Sequence, residues 1–101
     1  MRQDEVLTAE HFRPYVGKVF RVKDGHHELT LSAVNAHGGG DTATTLMHRQ
    51  PFTLIFSGAP RDVLREGLYT LDAADGVQFE IYVIPVSTPV VTRQDYQAAF
   101  N

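Results

Sequence analysis

Apolar and polar residues alternate at period two in several short runs, and Gly, Pro and Asp separate the runs. The clearest run is Pro51–Gly58. Phe52, Leu54 and Phe56 share one face, and Thr53, Ile55 and Ser57 the other. Side chains on a strand alternate between faces, so this spacing predicts a β-strand. Pro51 stands at its head, where a missing amide hydrogen is tolerated. Ile55 makes the second face partly apolar, which predicts a central strand rather than an edge.

Other runs follow the same pattern. Lys18–Val22 predicts a first strand with Phe20 and Val22 on one face. Asp24-Gly25 predicts a two-residue hairpin, because both residues tolerate positive φ. His27–Val34 then sets Leu29, Leu31 and Ala33 inward against Glu28, Thr30 and Ser32. Val63–Gly67 predicts one helical turn closed by glycine. Leu68–Asp72 and Val77–Ile84 form two strands across an Ala73–Gly76 loop. In the second, Val77, Phe79, Ile81 and Val83 point inward, and Gln78, Glu80 and Tyr82 outward. Pro85 is expected to end the ladder or to place this strand at an edge. Tyr96, Ala98 and Phe100 alternate in a last short strand.

Near the start, Thr8 is an N-cap for a short helix through Phe12, which Pro14 stops. One or two turns are not stable alone. Leu7, Phe12, Tyr15 and Val16 are therefore expected to pack as a plug over one end of the sheet. About six strands, hairpin-length links and no βαβ rhythm require antiparallel neighbours. The predicted fold is mostly β: a small antiparallel barrel or sandwich with a short N-terminal helix, forming a single β domain over residues 1–101.

Ala36 to Gln50 breaks the rhythm. Gly38-Gly39-Gly40-Asp41 has maximal backbone freedom, and so long a structureless loop is uncommon in a small domain. Either this loop is functional, or Thr44–His48 continues into the strand at Pro51.

Several of these stretches have counterparts in one family. Gln50–Gly58 resembles the "PFSLLFRG" stretch of a small bacterial domain family of unknown function, DUF6916. Glu66–Leu71 is similar to its "QGTYTLEH", Glu80–Val86 to its "LFLVPVG", and Tyr96–Asn101 to its "YEAVFN". Phe12–Phe20 is similar to its "F..LVGETF". The resemblance covers nearly the whole chain in the right order and implies a small β domain. It brings no activity and no catalytic residues with it.

Composition narrows the functions. At 43% hydrophobic, the 101 residues can build one core. A net charge of −3 gives no basic footprint for nucleic acid or an anionic membrane. No cysteine means no disulfide, no thiolate metal site and no thiol nucleophile. Residues 1–16 lack the apolar core of a signal peptide, and no run approaches the ~20 apolar residues of a membrane span. The expectation is a soluble protein, with the cytoplasm favoured.

Candidate chemistry is sparse. Of the histidines His11, His26, His27, His37 and His48, only His26-His27 is a cluster. Neighbours on a strand face opposite ways, so this pair is not expected to hold one metal. His37 and Asp41 supply only two ligands. Ser57 lacks the Gly-x-Ser-x-Gly turn of a nucleophile. Asp72 and Asp75 read as turn formers. The three glycines lack the Lys and Ser/Thr of a phosphate loop. No catalytic, cofactor-binding or metal residue is predicted. The leading expectation is a non-enzymatic protein-interaction or assembly module, acting on an unidentified protein partner or by self-association. Its candidate surface is Gly38, Gly39, Gly40, Asp41 and Tyr82. The alternative is a small-molecule-binding β-barrel with its ligand near residues 36–50, and a distant third is an orphan hydrolase using that loop.

Overall fold

Strands β1 (Val19–Val22), β2 (Glu28–Ala36), β3 (Phe52–Gly58), β4 (Gly67–Ala73), β5 (Gln78–Val86) and β6 (Gln94–Phe100) form one antiparallel sheet. The sheet closes into a barrel in the order β1-β2-β3-β6-β5-β4. Closure gives each strand a partner on both sides, although stretches such as Ile84–Val86 pair on one side only. The structure is a computed structural model and describes residues 7–36, 51–87 and 91–100. Gly38–Asp41 and the Thr44–His48 continuation lie outside the described residues.

The alternation in β3 sets the core. Phe52, Leu54 and Phe56 are wholly buried, with Leu29, Leu31, Leu71, Ile81, Val83 and Tyr96 around them. β3 lies between β2 and β6, as a strand apolar on both faces should. Phe56 meets Phe20 edge-on across the interior, with ring centroids 5.5 Å apart. Side chains therefore fill the middle of the barrel, as the size of a six-stranded barrel requires.

Helix α1 (Ala9–Phe12) and a following 3-10 turn, Arg13–Tyr15, plug one end. The Thr8 amide donates to His11 Nδ1 at 3.0 Å, a reciprocal cap that fixes the first turn. Phe12 is buried among Phe52, Phe79 and Phe100, at 5.9, 4.9 and 5.7 Å between ring centroids. Tyr15 reaches Phe20 and Phe79. Gly17, at φ +88°, then turns the chain into β1.

Two local expectations are corrected, and of the two placed on Pro85 the edge-like one holds. In β2, Leu31 pairs with Phe56 but Ala33 pairs with Ile55, so Ser32 is the extra residue of a β-bulge. Beyond a bulge the alternation inverts. Val34, opposite Leu54, packs on the core, while Ala33 sits opposite Ile55. In β5, Pro85 does not end the strand. Residues Gln78–Val83 pair with β4, and Ile84–Val86 pair with β6. Pro85 thus falls where the strand has changed partners, the kind of one-sided position that tolerates proline. Val63–Gly67 is no helical turn. Leu64 is buried and its amide donates to the Tyr96 hydroxyl at 2.8 Å, which anchors an extended link.

Candidate functional site

The links of residues 23–27 between β1 and β2 and of residues 59–66 between β3 and β4 lie at the end of the barrel opposite α1. The first is longer than a two-residue hairpin. The Gly25 amide bonds to Val22 O at 3.2 Å and the Val22 amide to His27 O at 3.0 Å. Asp24 takes the left-handed conformation at φ 64°, whereas Gly25 does not. Turn residues such as Asp tolerate that region best. His26 and His27 consequently lie in the link, outside the strand alternation. Their rings stack, with centroids 4.2 Å apart and planes at 30°. The expectation that they face opposite ways is corrected for that reason.

The second link starts at Gly58. A β-carbon there would sit 3.1 Å from Leu29 Cδ2 and 3.4 Å from both Glu28 O and Tyr96 Cε1. The bare glycine lets the end of β3 close onto the start of β2, and the chain then turns through Pro60 to Asp62. The register explains the meeting. Thr30 pairs with Ser57; carried outward, it sets His27 and His26 level with Pro60 and Arg61, beside Asp62.

Asp62 joins both imidazoles. The His26 ring N–H, at Nε2, donates to Asp62 Oδ2. His27 Nε2 pairs with Asp62 Oδ1 at 3.2 Å, a charge contact that is not aligned as a hydrogen bond at this buried ring nitrogen. The His26 side chain is 74% exposed, that of Asp62 48% and that of His27 17%. The hydrogen bond from His26 holds the Asp62 carboxyl below the usual carboxylate range, and the charges of His26 and His27 add to it against partial burial. A cleft of about 440 Å³ opens beside the three residues, with Val19, Thr30, Ser57 and Tyr96 in its walls. The Ser57 hydroxyl lies 3.1 Å from that of Ser32, so it is shared between strands rather than aimed at a base.

A second surface lies on the outward side of β4 and β5. Tyr82 stands opposite Leu68, and both are exposed, at 48% and 63%. Ile84 continues the face two residues on and is also exposed. The Tyr82 hydroxyl donates to Glu66 Oε2 at 2.6 Å. That bond, with some loss of solvent, raises the phenol above its ordinary range.

Of the residues proposed from sequence, Tyr82 is therefore on the surface, while Gly38, Gly39, Gly40 and Asp41 lie outside the described residues. Asp75 is a turn former: its carboxylate accepts the Val77 amide at 3.1 Å and the Tyr15 hydroxyl at 2.9 Å. Asp72 is instead a strand residue in β4, paired with Arg21 and Gln78. The His26, His27 and Asp62 cluster was missed because its parts are far apart in sequence. Its one signal is the two-histidine step beside a turn, and that acquires meaning only from the β2–β3 register.

A closed, six-stranded antiparallel barrel with one plugged end and a polar cleft at the other is a small all-β domain. Among its described residues no helix is long and apolar enough to cross a membrane. The chain belongs to the DUF6916 family, a domain of unknown function, whose family model matches residues 7–100. No curated protein and no solved structure matches it.

Proposed function

We propose that the protein is a non-enzymatic interaction module that works through the outward face of β4 and β5. The observation that carries this is the directly paired Leu68 and Tyr82, two large side chains left exposed on a rigid sheet. Clustered exposed apolar groups on a folded surface mark contact sites, whereas scattered ones do not. Tyr82 adds a polar handle beside an apolar body, the combination enriched in interfaces. Its bond to Glu66 fixes the ring before contact, which lowers the ordering cost of binding.

A filled barrel supports this over an interior ligand, because Phe20 and Phe56 occupy the centre. The cleft beside Asp62 favours a second reading, a small polar ligand bound outside the barrel wall.

The test is Leu68→Glu, alone and with Tyr82→Ser. Both changes lie on the surface, so the melting temperature should stay within a few degrees. Sedimentation across a concentration series and retention of native partners should both report a weakened contact. Association unchanged in the double variant would move the contact surface elsewhere.

A further inference from the structure

We propose that His26, His27 and Asp62 form a binding site for one divalent first-row transition-metal ion of the zinc type, at the end of the barrel away from α1. One potential ligand atom from each residue lies within 4.8 Å of the others. The 3.2 Å between His27 Nε2 and Asp62 Oδ1 suits two ligands on one ion, since bonds of about 2.0–2.2 Å set neighbouring donors roughly 3–3.5 Å apart.

A second observation points to a ligand. His27 Nε2 is buried and without a hydrogen bond, although a carboxylate oxygen is near. A buried ring nitrogen that faces a carboxylate without an aligned hydrogen bond recovers only part of its desolvation cost. An ion seated between the imidazole and the carboxylate would bind the Nε2 lone pair once any proton there is released.

The donors also come held in place. His26 and His27 follow a turn bonded at Val22, and Asp62 lies between Gly58, packed on Leu29, and Leu64, bonded to Tyr96. Little chain must be ordered on binding. In the metal-free state His26 Nε2 carries the proton it donates to Asp62. For Nε2 to bind the ion that proton must be released, and the exposed His26 ring must swing away from its close contact with Asp62 Oδ2; no oxidant or reductant is required.

Two imidazoles and one carboxylate define the class of ion. Hard Mg²⁺ and Ca²⁺ prefer all-oxygen sites, whereas imidazole suits zinc, copper, nickel and iron. Three protein donors leave at least one position open, as in sites that bind water or an exogenous ligand. The cleft lies beside the cluster, so that position would be accessible from it.

The experiment is titration of the full chain with Zn²⁺ by calorimetry, with metal content measured after dialysis and Co²⁺ as a spectroscopic probe. One ion per chain is expected, with visible d–d absorption for Co²⁺. Asp62→Asn and His26→Ala should each weaken Zn²⁺ binding by at least about tenfold. Both residues are well exposed, so the variants should stay folded by circular dichroism even if His27→Ala does not. The paired His37→Ala and His48→Ala variant should bind like the parent. No stoichiometric Zn²⁺ in the parent, or equal affinity in Asp62→Asn, would overturn the site. So would loss of binding in the His37/His48 variant.

Discussion

The Tyr96 hydroxyl accepts the backbone amide of Leu64 at 2.8 Å, and both residues are buried. This bond ties the β3–β4 link to the inner face of β6, at the end of the barrel away from α1. Tyr96→Phe removes a single oxygen and keeps the ring. It strands the Leu64 amide, so the expected cost is about 1–3 kcal/mol. Urea denaturation should show a lower midpoint with an unchanged slope. A cost near zero would mean that water satisfies the amide. The same variant should weaken Zn²⁺ binding, because Asp62 is placed by this link.

Phe12 and Phe56 are both fully buried, at the plug and at the centre of the barrel. Truncation of either to alanine leaves a cavity that a closed sheet cannot collapse around. Each should lower stability by about 3–5 kcal/mol. Chemical denaturation of Phe56→Ala showing less than about 1 kcal/mol would mean that the inward face of β3 is assigned wrongly.

The bulge at Ser32 makes a sharper test of register. Val34 packs on the core and Ala33 sits opposite Ile55 on the other face. Val34→Asp should cost on the order of 2 kcal/mol or more, through a charge placed against apolar side chains. Ala33 is half-buried on the outward face, where a lysine stem can reach solvent, so Ala33→Lys should cost less than Val34→Asp. Thermal melts of the two variants in the reverse order would restore the uninterrupted alternation.

That pair of residues also shows where a sequence stops being informative. Strict alternation in β3 and β5 was legible because each residue in turn meets a wall of core or a face of solvent. The plug was legible because a helix as short as Ala9–Phe12 must borrow its stability from packing. The bulge was not, since an inserted residue leaves Leu29, Leu31 and Ala33 looking like an unbroken period of two. The hairpin was misjudged for a related reason. Asp24-Gly25 permits a two-residue turn without requiring one, and the longer link carries His26 and His27 out of the ladder. The meeting with Asp62 then depends on the pairing of β2 with β3, a long-range fact that no local pattern contains. The outward position of Tyr82 needed only the alternation of β5, whereas its bond to Glu66 needed the β4–β5 pairing.

The turn at Asp75 should give the protein a pH signature. The Val77 amide, and after it the Tyr15 hydroxyl, stabilise the Asp75 carboxylate and hold its pKa below the ordinary 3.8. A carboxylate with a depressed folded-state pKa contributes stability that is present above its unfolded value and is lost as pH falls through the folded one. At its other end the bond works in the opposite sense. Desolvation, and after it the bond to Asp75, raises the Tyr15 phenol above 10.0. That contribution is present below pH 10.0 and is lost as pH rises through the folded value. Asp75→Asn keeps one oxygen, which can still accept the Val77 amide, but puts an NH2 donor where Oδ2 accepted the Tyr15 hydroxyl, and it removes the charge. It should melt below the parent at pH 7, and the two curves should converge near pH 2, where both side chains are neutral. On the alkaline side Tyr15→Phe should be less sensitive than the parent to raising the pH above about 10. Melting temperatures across this range decide the matter. A gap between Asp75→Asn and the parent that is equally wide at pH 2 and pH 7 would show that the side chain acts through shape alone.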